Sequence, residues 1–194
     1  MRFLSYALLA FVGFASQKQQ PVRTLAERDG EVYAVVLDSI FATSRDRIDQ
    51  LVVDDSAYNL PRTRLVLRVI DDFYSFPGVD SVTVRSFDER NLRSLTIRHI
   101  GDLASRIPVI LVSYSTLQSL PRDIEHYWRK FYQLYPKSAG LISLSPIGYN
   151  ASGDVAILMV DRSCGGLCGN GYSVSLRWKD GKWSITKVQR TWVS

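Results

Sequence analysis

The stretch YSVSLRWKDGKWSITKVQR (172–190) decides the fold, because it encodes a β-hairpin with one apolar and one polar side. The central Asp-Gly dipeptide (180–181) tolerates the positive φ angles of a two-residue turn. In the register that this turn imposes, Trp178 lies opposite Trp183, whereas a one-residue slip would set Trp178 against a serine. The other expected pairs are Lys179 with Lys182, Leu176 with Ile185, Val174 with Lys187, Arg177 with Ser184 and Ser175 with Thr186.

Two strand-like segments precede the hairpin, AGLISLS (139–145) and GDVAILMVD (153–161). The second is apolar at consecutive positions, which is typical of an interior strand buried on both faces. The sequence therefore predicts an α+β fold, with a C-terminal antiparallel meander sheet of about four strands packed against N-terminal and central helices.

Helical periodicity appears in GEVYAVVLDSIF (30–41), in RLVLRVIDDFYSF (64–76) before Pro77 and Gly78, and in PRDIEHYWRKFYQLYP (121–136). The third helix should dock on the sheet through its aromatic face. That face consists of Ile124, Trp128, Phe131 and Tyr135, with Tyr127 and Leu134 beside it. LVVDDSA (51–57) is typical of a strand, and residues 81–121 mix short strand and helix signals that fix no boundaries.

The N-terminal sequence MRFLSYALLAFVGFAS has the layout of a secretory signal peptide, with one cation, an apolar run and small residues near its end. We expect residues 1–15 to be removed, 16–25 to form a flexible leader and 26–194 to form a single domain. The apolar run is far shorter than the ~20 residues that cross a bilayer, so we expect no stable membrane anchor after cleavage. The expected location is periplasmic or secreted, where disulfides persist.

The segment CGGLCGNG (164–171) has two cysteines and four glycines between two predicted strands. A thioredoxin-like site needs C-x-x-C before a helix, but here the spacing is C-x-x-x-C and a strand follows. The sequence has no Cys and His residues at the spacing of a zinc site. A phosphate-binding loop would be followed by a helix and a lysine, and neither is present here. We therefore expect a disulfide between Cys164 and Cys168 that braces the hairpin loop, and no cofactor.

The net charge of +5 is distributed as scattered cations interleaved with acidic residues. Nucleic-acid-binding domains concentrate their cations on one face or in a recognisable module, which is not seen here. We expect no nucleic-acid partner, and the partners left open are an envelope protein and a small apolar ligand.

Other candidates for chemistry have little support. A Ser-His-Asp hydrolase could be assembled from Ser145, His126 and Asp154, but Ser145 lies in SLSPIG rather than in G-x-S-x-G. His99 would share a strand face with apolar neighbours, as a structural histidine does. The carboxylate pairs 54–55 and 71–72 diverge in direction on a strand or a helix, so neither forms a shared acid–base site.

Several aromatic residues could line a pocket or an interface between helix and sheet, although core packing also explains them. These candidates are Trp128, Tyr132, Tyr135, Tyr149 and Tyr172.

The C-terminal half, about residues 127–194, resembles a group of exported bacterial α+β proteins with no assigned activity. The resemblance is carried by FYQLYPKSAGLISLSPIGYNASGDVAILMV, by CGGLCGNGYSVSLRWKDGKW and by the terminal TWVS. It implies a bacterial envelope or secreted origin and a sheet broadly similar to cystatin-like or NTF2-like cones.

The leading hypothesis is a non-enzymatic binding or accessory domain that acts outside the cytoplasm. The alternatives are a hydrolase of unrecognised type with its site on the concave face of the sheet, and an inhibitor or protein-interaction module that uses the Cys-Gly loop.

Overall fold

The computed structural model describes residues 24–41, 48–57, 70–93, 95–97 and 106–194. The helices in these ranges are α1 (Leu25–Phe41), α2 (Ser81–Asn91), α3 (Tyr114–Gln118) and α4 (Ile124–Leu134), and residues 70–73 are also helical. The strands are β1 (Gln50–Asp54), β2 (Ser56–Ala57), β3 (Leu95–Thr96), β4 (Val109–Val112), β5 (Ser138–Leu144), β6 (Gly148–Tyr149), β7 (Val155–Gly165), β8 (Cys168–Lys179) and β9 (Lys182–Val193).

The main sheet has the order β4-β1-β5-β7-β8-β9, with β6 paired to β7. The pairs β5–β7, β7–β8 and β8–β9 are antiparallel, which confirms the predicted C-terminal meander. At the other edge, β1 lies between β4 and β5 and pairs with both in parallel. The parallel edge was not predicted, because its partners come from distant parts of the sequence.

The β8–β9 hairpin confirms the predicted register near the turn and corrects it further away. Trp178 faces Trp183 with ring centroids 5.6 Å apart, and the next two pairs are also as predicted. The register then shifts at Ser175, which pairs with Lys187 instead of Thr186, so Val174 faces Val188 rather than Lys187. A β-bulge at this point adds a residue to β9 and keeps apolar side chains opposite each other on one face.

Helices cover both faces of the sheet. Leu51 and Val53 of β1 belong to the core formed with α1, whereas Val52 between them packs in the core formed with α4. Alternate residues of a strand point to opposite faces, so α1 and α4 lie on opposite sides of the sheet. β7 is buried on both faces from Val155 to Val160, as predicted for an interior strand.

The aromatic face of α4 docks on the sheet as predicted, with Phe131 fully buried. Two residues assigned to that side are instead exposed, since Ile124 is 58% and Leu134 is 48% accessible. Asp123 caps the helix by accepting a hydrogen bond from the His126 backbone N–H, so α4 begins at Ile124 rather than at residue 121, where the predicted helical segment starts.

Capping residues set the start of two other helices. Thr24 Oγ1 accepts from the Glu27 N–H while the Glu27 carboxylate accepts from the Thr24 N–H, so α1 begins at Leu25 rather than Gly30. Asp80 and Thr83 form the same reciprocal arrangement at the start of α2. Both arrangements are capping boxes, and they determine where α1 and α2 begin.

Two predicted segments are shorter than expected. The strand predicted at 51–57 is divided into β1 and β2, because Asp54 Oδ1 accepts hydrogen bonds from the N–H and the hydroxyl of Ser56 and turns the chain. Of the helix predicted at 64–76, residues 64–69 lie outside the described residues. The helical part ends at residue 73 rather than 76, and a turn containing Gly78 at φ +75° follows.

Candidate functional site

An open pocket of about 330 Å³ lies between α3 and the start of α4. Its lining combines apolar side chains with a few polar ones: Leu117, Gln118, Leu120, Pro121, Arg122, Ile124, Tyr127 and Trp128. Trp128 is the residue of this set that the sequence had put forward as a pocket candidate. Ile124 and Tyr127 also lie on α4, and the remaining lining residues come from the segment before it, whose organisation could not be predicted.

The pocket exists because α3 and α4 are both short, separately capped helices. Ser113 caps α3 through the Thr116 N–H, and Asp123 caps α4, so the chain between them turns instead of continuing one helix. Leu117 and Leu120, each 8% exposed, anchor this turn in the core beneath α4. The turn and the first residues of α4 then form the walls of the pocket.

Four lining side chains carry polar groups: Gln118, Arg122, Tyr127 and Trp128. The Trp128 Nε1–H is buried and has no hydrogen-bond partner among the described residues. Arg122 is exposed, and it is the charged member of the lining set. Burial raises the pKa of Tyr127, and the Asp54 carboxylate adds to this effect, so its hydroxyl stays protonated at neutral pH. All four side chains can donate a hydrogen bond, Gln118 and Tyr127 can also accept one, and Arg122 adds a positive charge.

The other aromatic candidates lie elsewhere. Tyr132 donates its hydroxyl hydrogen bond to the Cys164 carbonyl at 3.0 Å, and Tyr135 packs on Phe131 with ring centroids 5.1 Å apart. Tyr149 and Tyr172 belong to the core on the α1 side of the sheet. The structure therefore places Trp128 at the pocket and distributes the other four over separate contacts.

Tyr149 takes part in a buried polar network that the sequence did not reveal. Its hydroxyl donates to Asp29 Oδ1 at 3.0 Å, and Asp29 forms an ion pair with Arg90 at 2.6 Å. Burial raises the pKa of Tyr149 far above its ordinary value, and the charge of Asp29 adds to this effect. Burial, the largest single effect, disfavours the charged form of Arg90, but the hydrogen bond and the charge of Asp29, with smaller contributions from Tyr33 and Tyr149, together raise the pKa of the guanidinium. The network joins α1, α2 and β6.

Cys164 and Cys168 form the predicted disulfide, with their Cα atoms 5.0 Å apart. Both lie inside strands, since β7 and β8 pair as far as Gly165 and Cys168. The connecting loop expected between residues 161 and 172 is therefore a turn of Gly166 and Leu167. The loop is shorter than expected because Gly169 and Gly171 are part of β8 and pair with β7.

Two glycines of this segment make room for a distant side chain. The indole of Trp192 lies across β8, and a β-carbon at Gly169 would be 2.9 Å from its ring. A β-carbon at Gly171 would overlap the indole Nε1, which donates a hydrogen bond to Asp161 Oδ1 at 2.9 Å. Close packing, rather than a tight turn alone, explains the glycines after Cys168.

Removing the disulfide should weaken the domain without unfolding it. We expect Cys164→Ser/Cys168→Ser to lower the free energy of unfolding by about 2 kcal/mol, as loop entropy predicts for a closed loop of this length. Urea denaturation of the oxidised wild type and the double variant would measure this difference. Circular dichroism should show the same fold in both, and an unfolded variant would contradict the prediction.

The three residues considered for a Ser-His-Asp site lie in separate environments. Ser145 is fully buried, and its hydroxyl accepts from the Met159 N–H and donates to the Pro146 carbonyl. His126 pairs with Asp123 on the exposed side of α4, and Asp154 accepts from Asn150 and Ser152 in the turn before β7. His99 lies outside the described residues.

Asp54 and Asp72, one from each carboxylate pair, also accept hydrogen bonds that hold the fold together. Asp54 holds the turn to β2, and Asp72 Oδ2 accepts from Gln189 Nε2 at 3.1 Å. In the described ranges, no three His, Cys, Asp or Glu side chains are grouped in a way that could hold a metal ion. Within the same ranges, each helix is too short or too polar to span a bilayer.

Comparison of the chain with protein-family models, with curated proteins and with solved structures gave no match, so the resemblance of residues 127–194 to exported bacterial proteins stays a prediction.

Proposed function

We propose that this protein is a binding domain that acts outside the cytoplasm and holds a small amphipathic anion in the pocket between α3 and α4. The observation that carries the proposal is a largely apolar pocket to which Arg122 contributes a positive charge and Trp128 a side chain whose buried Nε1–H has no partner among the described residues. Buried indole N–H groups usually find an acceptor, so a ligand that supplies one would complete the site.

The shape and composition of the pocket fit a small ligand. Its volume of about 330 Å³ is at the lower end of the range for small-molecule sites, which are mostly apolar with a few polar groups. The apolar walls would hold a hydrocarbon or aromatic body, and Arg122 at the exposed side would bind a carboxylate or sulfonate.

The location outside the cytoplasm is supported by the signal-like sequence at residues 1–15 and by the Cys164–Cys168 disulfide. Disulfides of this kind form and persist in exported proteins.

The binding proposal can be tested with anilinonaphthalene sulfonate, a fluorescent aromatic anion, under conditions where circular dichroism shows a folded protein. We expect saturable binding that Trp128→Phe weakens about tenfold, because phenylalanine keeps the apolar contact and removes the N–H donor. Arg122→Gln should weaken it similarly by removing the charge.

Two controls define the result. Trp178→Phe and Arg93→Gln change the same residue types away from the pocket and should leave the affinity unchanged. Phenylnaphthylamine, which has the aromatic rings without the sulfonate, should respond to Trp128→Phe and not to Arg122→Gln. Equal affinities in wild type and both pocket variants would refute the proposed site.

A further inference from the structure

A positively charged side chain lies against the disulfide. Arg162 Nη2 is 3.2 Å from Cys164 Sγ and 3.9 Å from Cys168 Sγ. Arg162 and Cys164 are two residues apart on β7, so their side chains project from the same face of the sheet. Among the described residues, the buried Nε of Arg162 has no hydrogen-bond partner, and no carboxylate forms an ion pair with the guanidinium.

This charge bears on the chemistry of the two sulfur atoms. In thiol–disulfide exchange, an attacking thiolate bonds to one sulfur, the bond between the two sulfurs breaks, and the electron pair stays on the leaving sulfur as a thiolate. A nearby guanidinium stabilises that thiolate relative to the protonated thiol. Because Arg162 is close to both sulfurs, it would assist whichever one leaves.

The disulfide is also placed where another molecule can approach. It crosses the hairpin just before the tip, where Leu167 is 90% exposed. Both cysteines are partly exposed. The strands on either side are paired up to the turn, so the disulfide lies at the end of the β7–β8 ladder and not in its interior.

We propose that Cys164–Cys168 is a thiol–disulfide exchange site that oxidises dithiols in the compartment where the protein acts. One thiolate of the dithiol forms a mixed disulfide with Cys164 or Cys168 and releases the other cysteine beside Arg162. The second thiol of the substrate, after losing its proton, attacks the mixed disulfide. The substrate leaves as a disulfide with its two electrons transferred, and the two protons are taken up by the cysteines. The C-x-x-x-C spacing and the following strand provide no helix N-terminus, and Arg162 supplies the positive charge instead.

The test compares wild type with Arg162→Met and Arg162→Lys, using dithiothreitol as the dithiol and glutathione mixtures to set the equilibrium. We expect Arg162→Met to lower both the rate of reduction and the equilibrium constant for reduction about tenfold, with Arg162→Lys close to wild type. Arg190→Met, which removes an exposed arginine on the neighbouring strand β9, should change neither quantity. The fraction of free thiols after acid quenching, counted by mass spectrometry, gives both values.

A second measurement needs no variant at Arg162. Reduced wild-type protein should react with iodoacetamide at neutral pH faster than free cysteine does, because the guanidinium favours the thiolate. Reaction slower than or equal to that of free cysteine, or unchanged reduction in Arg162→Met, would show that the disulfide is a structural brace alone. Neither measurement depends on the pocket between α3 and α4, so the two proposals can fail separately.

Discussion

Asp29→Ala should lower the free energy of unfolding by about 4 kcal/mol, because it leaves the charge of Arg90 buried without its counter-ion. The two side chains are only 17% and 18% exposed, and they form two hydrogen bonds, of 2.6 and 3.2 Å. Alanine is an excellent helix former, so the substitution removes the contacts without weakening α1 itself. The loss also deprives the Tyr149 hydroxyl of its acceptor.

Urea denaturation would measure the change, with Glu125→Ala as the matched control. Glu125 pairs with Arg129 at the same 2.6 Å distance, but the side chains are 75% and 57% exposed. Exposed pairs one helical turn apart contribute only about 0.3–0.5 kcal/mol. The double variant Asp29→Ala/Arg90→Met should be more stable than the sum of the two single changes predicts, because no unpaired charge is left. Equal effects of Asp29→Ala and Glu125→Ala would show that this network does not hold α2 on the sheet.

The local parts of the fold could be predicted because the relevant signals are adjacent in sequence. The Asp-Gly turn fixed the pairing of Trp178 with Trp183, and the continuous apolar run fixed β7 as an interior strand. The same approach would have placed the starts of α1 and α2 if the capping boxes at Thr24 and Asp80 had been considered. Helix starts are local events, and they can be found from residues three apart.

Features that depend on distant residues could not be predicted in this way. The parallel pairing of β1 with β4 joins Leu51 to Val109, and nothing within either segment specifies the other. The bulge in β9 is also set by packing across the sheet and not by the turn. A register that is predicted by counting residue pairs from the turn is therefore correct only as far as the first bulge.

The candidate sites show the same division. Trp128 could be selected as an aromatic residue on the sheet-facing side of an amphipathic helix, but the pocket requires the position of α3 relative to α4, which no local pattern contains. Arg162 could have been linked to Cys164 by strand alternation, had β7 been extended past Asp161. The glycines around the two cysteines are typical of a loop, and they hide the strand alternation that continues past Asp161.

The glycines of that segment are the strongest case of a distant cause, and their substitution should have a large effect. We expect Gly171→Ala to lower the free energy of unfolding by about 3 kcal/mol, because a β-carbon there would overlap the Trp192 indole and the Asp161 carboxylate. The ring would have to leave β8 and break its hydrogen bond to Asp161.

Chemical denaturation of three further variants separates this cause from a general intolerance of alanine in the segment. Gly166→Ala, at the exposed turn and 3.8 Å from the nearest side-chain atom, should change stability by less than about 0.5 kcal/mol. Once Trp192→Ala has removed the ring, Gly171→Ala should add much less loss than in the wild type, because the shortest overlap, with the indole Nε1, no longer exists. If Gly171→Ala were as costly without Trp192 as with it, the backbone of β8 rather than the indole would be what requires glycine at this position.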